Sequence, residues 1–285
     1  MVNSASIVCI CLAMAATALI PAGIIIWYCI RHKSEKLWFP ALIGALGFFI
    51  PQILIRIPIL NMLSMNAGFM EYATNHYLVY ALSLAATAGL FEVSGRFGAA
   101  KILDKKGITL HRAMAAGLGH GCIESILIAG LQYLNLLLYA VMINNGSFDA
   151  IVETSAQSGV DPAQFEALKD SLINDAPLLY LVGIWERGMA IIAHLFMSML
   201  VFYFVMKKRP VIGVLLSFLF HTLIDSMVVI QGLSTPYLGE VISKNAATVI
   251  IEVMVTVAAA FAVCGIIRLR KKWGAVYERC VECTG

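Results

Sequence analysis

The residues that could do chemistry are few, and they interrupt runs that are otherwise apolar. Gly117-Leu118-Gly119-His120-Gly121-Cys122-Ile123-Glu124 places an imidazole and a carboxylate four residues apart, so a helix would present both on one face. His221 and Asp225 repeat that spacing, and Glu92 precedes Arg96 by four, the order that favours a helical ion pair. Glu186 and Arg187 come shortly before His194. Neutral imidazoles with carboxylates are the ligand set of Zn²⁺, and a nearby Glu can serve as general base toward water. The same groups would also suit a proton, metal or solute relay, and ionisable residues inside a membrane pair with one another for structural reasons alone. Glu92–Arg96 could be a self-neutralising pair near a helix end, and Glu186–Arg187 a brace between helices.

Other chemistries are less well supplied. Ser125 and Ser198 lie near these patterns, but no Gly-x-Ser-x-Gly elbow exists. Cys122 sits in an apolar run, where a thiol is normally inert. The His-Glu-x-x-His spacing of soluble zinc proteases is absent.

The elements that must position these residues follow from composition. The chain has 285 residues, 60% hydrophobic and 13% charged, with a mean hydropathy of +0.86. A soluble domain is roughly half apolar and about a quarter charged, so the expected fold class is all-α, a polytopic transmembrane helix bundle. At about 20 residues per span, apolar segments fall at Ser4–Ile30, Leu37–Leu60, His76–Gly98, Ala113–Ile143, Pro177–Met206, Val211–Leu233 and Ala246–Ile267. Met1–Ser6 carries no basic side chain, so the first segment reads as a retained helix rather than a cleaved signal. Pro51, Arg56 and Pro58 suggest a kinked or broken outer end for the second. The whole chain, 1–285, reads as a single integral membrane domain. Residues 144–176 form an acidic extracytoplasmic loop in which Asp161-Pro162 starts a helix, and 268–285 form a basic cytoplasmic tail. Lys and Arg follow segments one, three, five and seven, which puts the amino terminus outside and the carboxyl terminus in the cytoplasm.

Depth ties the patterns together. At about 1.5 Å per residue, His120, Glu124, His221, His194 and Glu92 each fall roughly 12–18 Å from the cytoplasmic boundary. Independent segments therefore place them in one layer. The three glycines around His120 would let another backbone approach closely. Of the seven cysteines, five sit in apolar segments as small packing residues. Cys280 and Cys283 form a lone C-x-x-C, which by itself is a weak metal or redox signal. No nucleic-acid module or basic patch beyond the membrane-proximal ones is present. The expected partners are membrane lipids and a peptide or membrane-protein substrate, in the cytoplasmic membrane; the oligomeric state stays open.

The combined order resembles a known family. Phe91-Glu92-x-x-Gly95-Arg96, then Gly117-x-Gly119-His120-Gly121-x-x-Glu124, then Glu186-Arg187 with His194, then His221-x-x-x-Asp225, is similar to the YhfC family of intramembrane metalloproteases. That family is grouped with the CAAX prenyl proteases, the bacteriocin-processing enzymes and PrsW. The resemblance spans about Phe39 to Asp225. It implies a bundle of membrane helices with a catalytic centre toward the cytoplasmic side. Prenyl proteases carry two adjacent Glu in the first motif, and here Phe91 stands in place of the first. If that Glu activates water in the relatives, Glu124 takes the role here, with Glu92 second. The expected activity is endopeptidase, with zinc as cofactor and a metal-free glutamate mechanism as the alternative. In the expected site, His120, His194 and His221 bind the metal or hold the oxyanion, and Asp225 ligates it or orients His221. Glu124 activates water, Glu92 and Arg96 shape the mouth, and Glu186 completes the catalytic set. A carrier or a non-catalytic scaffold are the rival readings.

Overall fold

The computed structural model describes residues 1–157 and 162–282. Asp161 and Cys283 lie outside the described residues. Every regular element among them is helical: α1 (Ser4–Arg31), α2 (Trp38–Phe48), α3 (Ile57–Ser64), α4 (Ala67–Asn75), α5 (Tyr77–Asp104), α6 (Leu110–Glu124), α7 (Leu131–Asn145), α8 (Phe148–Gln157), α9 (Pro162–Asn174), α10 (Val182–Met206), α11 (Pro210–Asp225), α12 (Val228–Gly232) and α13 (Lys244–Glu282). Seven helical stretches are long and apolar enough to cross a membrane: Ser4–Arg31, Trp38–Ser64, Tyr77–Asp104, Leu110–Asn145, Pro177–Met206, Pro210–Gly232 and Lys244–Gly274. These match the apolar segments in number and place, and the protein is a multi-pass integral membrane protein.

Two of the spans contain π-helical stretches, Phe49–Arg56 and Ser125–Gly130. The first is where the prolines suggested a break. Pro51 has no N–H to give to the carbonyl of Gly47, and its ring crowds that carbonyl. The helix widens rather than ending, and α3 continues it directly. The second contains no proline, and the local sequence offers no cause. Wide turns of this kind are rare and recur at functional sites.

The chain divides into two compact units. One comprises Met1–Gly23 and Ser125–Gly188. Its core joins Val2, Ile10, Ala140 and Leu172, with Tyr133, Leu136 and Leu168 against it. Asn144 fixes the amino terminus by accepting from the Val2 amide at 2.7 Å and donating to its carbonyl at 3.0 Å. Ser125 donates to the Thr17 carbonyl at 2.9 Å, and α7 stops at Gly146, whose φ of +80° is the left-handed conformation of a helix C-cap. The acidic stretch after α7 is not an open loop, because α8 and α9 fill it.

The other unit comprises Ile24–Glu124 and Met189–Gly285. From Ile191 to Met206, α10 is buried on almost every side, and its core gathers Val93, Ala116, Phe196, Met199, Phe202 and Trp273. Around it the helices meet through small residues. A Cβ on Gly44 would fall 1.9 Å from the Ala116 carbonyl oxygen, one on Gly119 2.0 Å from that of Ala41, and one on Gly95 1.8 Å from that of Gly47. Gly117 and Gly121 face Leu195 and His194 of α10. In a bilayer, where lipid tails are as apolar as Leu, close backbone approach and dispersion carry helix association. The glycines flanking His120 therefore press α6 between α2 and α10. Polar groups on α5, α6, α10 and α11 are brought within hydrogen-bonding reach.

Candidate functional site

Glu92 is the hub. It lies on α5 and is 3% exposed. Its Oε2 accepts from Arg96 Nη2 at 3.0 Å, His120 Nε2 at 3.1 Å and His221 Nε2 at 2.8 Å, while its Oε1 accepts from Gln52 Nε2 at 2.6 Å. A carboxylate can only accept, so the facing nitrogens of His120 and His221 carry the protons. Arg96 Nη2 also lies 2.5 Å from His194 Nδ1. A guanidinium only donates, so Nδ1 of His194 accepts and Nε2 carries the proton, 2.7 Å from Glu124 Oε2. On the far side of His221, Nδ1 lies 3.3 Å from Asp225 Oδ2. The three imidazoles touch: His120 stacks on His194 at 5.4 Å between centroids, and His194 meets His221 edge-on at 5.5 Å. Phe48 closes the other edge of His120 at 5.5 Å.

Exposure is graded across the cluster. The side chains of Glu92, Arg96, His120 and His221 are 1–4% exposed, that of Glu124 is 14% and that of Asp225 33%. Glu124 also stands at the end of α6, directly before the second π-helical stretch. Of the two carboxylates that reach His194, it is the more exposed.

A family model described as YhfC intramembrane metalloprotease matches residues 16–255. The chain belongs to the YhfC family. It is 31% identical over 277 residues to the "Uncharacterized membrane protein YhfC" of Bacillus subtilis (strain 168), and the alignment covers 95% of this chain and 99% of that one. No solved structure matches. The motifs that suggested YhfC membership in the sequence all lie within the matched span.

Seven of the eight candidate residues meet in this one cluster: Glu92, Arg96, His120, Glu124, His194, His221 and Asp225. Glu186 does not belong to it. It lies in the other unit, paired with Arg187, where both line a cavity of about 310 Å³ with Tyr133, Leu136 and Tyr180. Gln52 is a member that sequence reasoning passed over. Its signal was an amide four residues before Arg56 in an apolar run, and Arg56 in turn donates to Gln52 Oε1 at 3.3 Å and to the Leu84 carbonyl at 2.7 Å.

The donor set fits a metal ion. One donor atom from each of Glu92, His120, Glu124 and His194 can be chosen so that all lie within 4.8 Å of one another. Ligands at about 2.0–2.2 Å around a tetrahedral zinc lie about 3.3–3.6 Å apart, so closing the set on the ion takes a contraction of up to about 1.5 Å. His221, with Asp225 behind it, stands beside this group through Glu92, the arrangement in which an outer carboxylate fixes an imidazole's orientation.

Proposed function

We propose that the chain is a metal-dependent endopeptidase that cuts peptide bonds within or beside the membrane. One observation carries the reading: two imidazoles and two carboxylates converge inside membrane-spanning helices, where uncompensated charge is costly. Zinc is the metal whose ligand preferences match that set best. His120, His194 and Glu92 would hold it. A metal there supplies Lewis acidity toward water and toward the scissile carbonyl.

The chain's own residues do the rest. Glu124, the more exposed carboxylate, takes the proton from attacking water and passes it to the leaving amine, with the His194 imidazole 2.7 Å away to balance its charge. Glu92, oriented by Gln52, Arg96 and His221, is the fixed anchor of the set. Asp225 holds His221, and His221 holds Glu92. The distribution of Lys and Arg supports an outside amino terminus and, with it, a site in the cytoplasmic half of the bilayer. The substrate class is a peptide or membrane protein whose chain can unwind at that depth.

A second reading has an observation of its own. Both ring nitrogens of His194 are engaged, Nδ1 by Arg96 and Nε2 by Glu124, as a metal-free Glu–His dyad would require. Membrane-protein N-termini from cells expressing wild type or Glu124→Gln separate these readings from a carrier or a scaffold. New N-termini that vanish in the variant are expected. Identical sets from equal amounts of inserted protein would overturn both protease readings, and survival of cleavage after metal stripping would select the metal-free one.

A further inference from the structure

A second buried polar layer lies beneath the cluster. Arg96, Ser198 and Ser217 are 1%, 1% and 0% exposed. Arg96 commits Nη2 to Glu92 and His194. Its Nε and Nη1, and the hydroxyls of Ser198 and Ser217, have no hydrogen-bond partner among the described residues. Buried polar groups are paired in the great majority of cases, with protein or with ordered water.

The backbone positions of the three residues share a level, and the Arg96 side chain runs from it to the cluster. Arg96 is four residues after Glu92 on α5, Ser198 four after His194 on α10, and Ser217 four before His221 on α11. Each is therefore one turn, about 6 Å, along its helix from a member of the cluster. The displacement is to the same side in all three. α10 and α11 are joined by the short turn Lys207–Arg209, and Lys208 Nζ reaches Asp104 Oδ2 at the end of α5 at 3.3 Å. Ser198 also packs against α6, its Cβ 3.0 Å from where a Cβ on Gly117 would stand. Beyond the layer the core closes with Ala99, Phe202, Val205 and Met206.

We infer that Arg96 Nε–H and Nη1–H, with the hydroxyls of Ser198 and Ser217, bind ordered water one turn beneath the carboxylate–imidazole cluster. Water suits the site better than an anion, because the Glu92 carboxylate already balances the guanidinium. It suits it better than a substrate group, because none of the three side chains opens to the surface. Hydroxyls that both donate and accept can complete a water's partners beside a group that only donates. The use of this water as the reserve for hydrolysis rests on the protease reading above; its binding does not.

The test is the sign of a stability change. Thermal unfolding in detergent would be measured for wild type, Ser198→Ala, Ser217→Ala and the double variant. Each single change is expected to lower the midpoint by a few degrees, and the double variant by less than the sum, because the two hydroxyls share water. An unchanged or raised midpoint in both single variants would overturn the inference, since deleting a bare hydroxyl from a dry core relieves a penalty. X-ray radiolytic labelling gives a second readout at Met197 and Met199, which are 1% and 0% exposed and flank Ser198. Labelling in wild type that falls in the double variant is expected; none in wild type would count against resident water. Either failure leaves metal binding and cleavage untouched, so the two claims stand or fall apart.

Discussion

Two carboxylate–guanidinium pairs sit in membrane-spanning helices of this protein, and they differ in almost every respect. Glu92 and Arg96 are one helical turn apart, 4% and 1% exposed at their side chains, and held by two imidazoles and a glutamine. Glu186 and Arg187 are adjacent in sequence, 38% and 18% exposed, and border a cavity in the other unit. Spacing explains much of this. Residues four apart stack on one face and can present a joint surface to neighbouring helices, whereas adjacent residues diverge by about 100° around the axis and can only fold back on each other. The first pair can act as a hub because small residues bring α2, α6 and α10 up to it.

That contrast can be broken by experiment. The largest effect is expected for Arg96→Met, which leaves Glu92 short of its guanidinium in a buried site and should cost about 3–5 kcal/mol in reversible detergent unfolding. Glu124→Gln should slow cleavage by about 10²–10⁴-fold while unfolding stays within about 1 kcal/mol of wild type; parallel loss of both would mean that Glu124 is a brace. Gly44→Val should cost about 1–3 kcal/mol or more through its collision with the Ala116 backbone. The same substitution should weaken metal binding, because it pushes α6 and His120 away from Glu92. Arg187→Met should cost only about 0–1 kcal/mol, as partly exposed pairs do. A loss as large as that of Arg96→Met would abolish the distinction between the two pairs.

Much of this was legible in the sequence. Runs of about 20 apolar residues define spans almost by themselves, and the helical rise put Glu92, His120, Glu124, His194 and His221 at one depth. The i, i+4 pairs were readable as shared faces. What could not be read was rotation. A membrane helix is apolar all round, so little in its pattern tells which side meets which neighbour. Glu92 was therefore placed with Arg96 at the mouth of the site, although it stands at the centre. Gln52 was hidden for a related reason: a neutral amide beside Pro51, in a stretch expected to kink or break. Glu186 shares a face with His194 only approximately, and eight residues separate them by about 12 Å along α10. Azimuth suggested a meeting that depth argues against.

Metal content is the decisive measurement for His120 and His194 as ligands of a metal ion. Elemental mass spectrometry would be run on detergent-purified wild type beside His120→Ala/His194→Ala, with helical content measured on both. About one divalent metal per wild-type chain is expected, zinc foremost, lost in the variant at unchanged helicity. Folded wild type without metal, or a variant that retains it, would rule out His120 and His194 as metal ligands and leave a metal-free Glu124–His194 dyad.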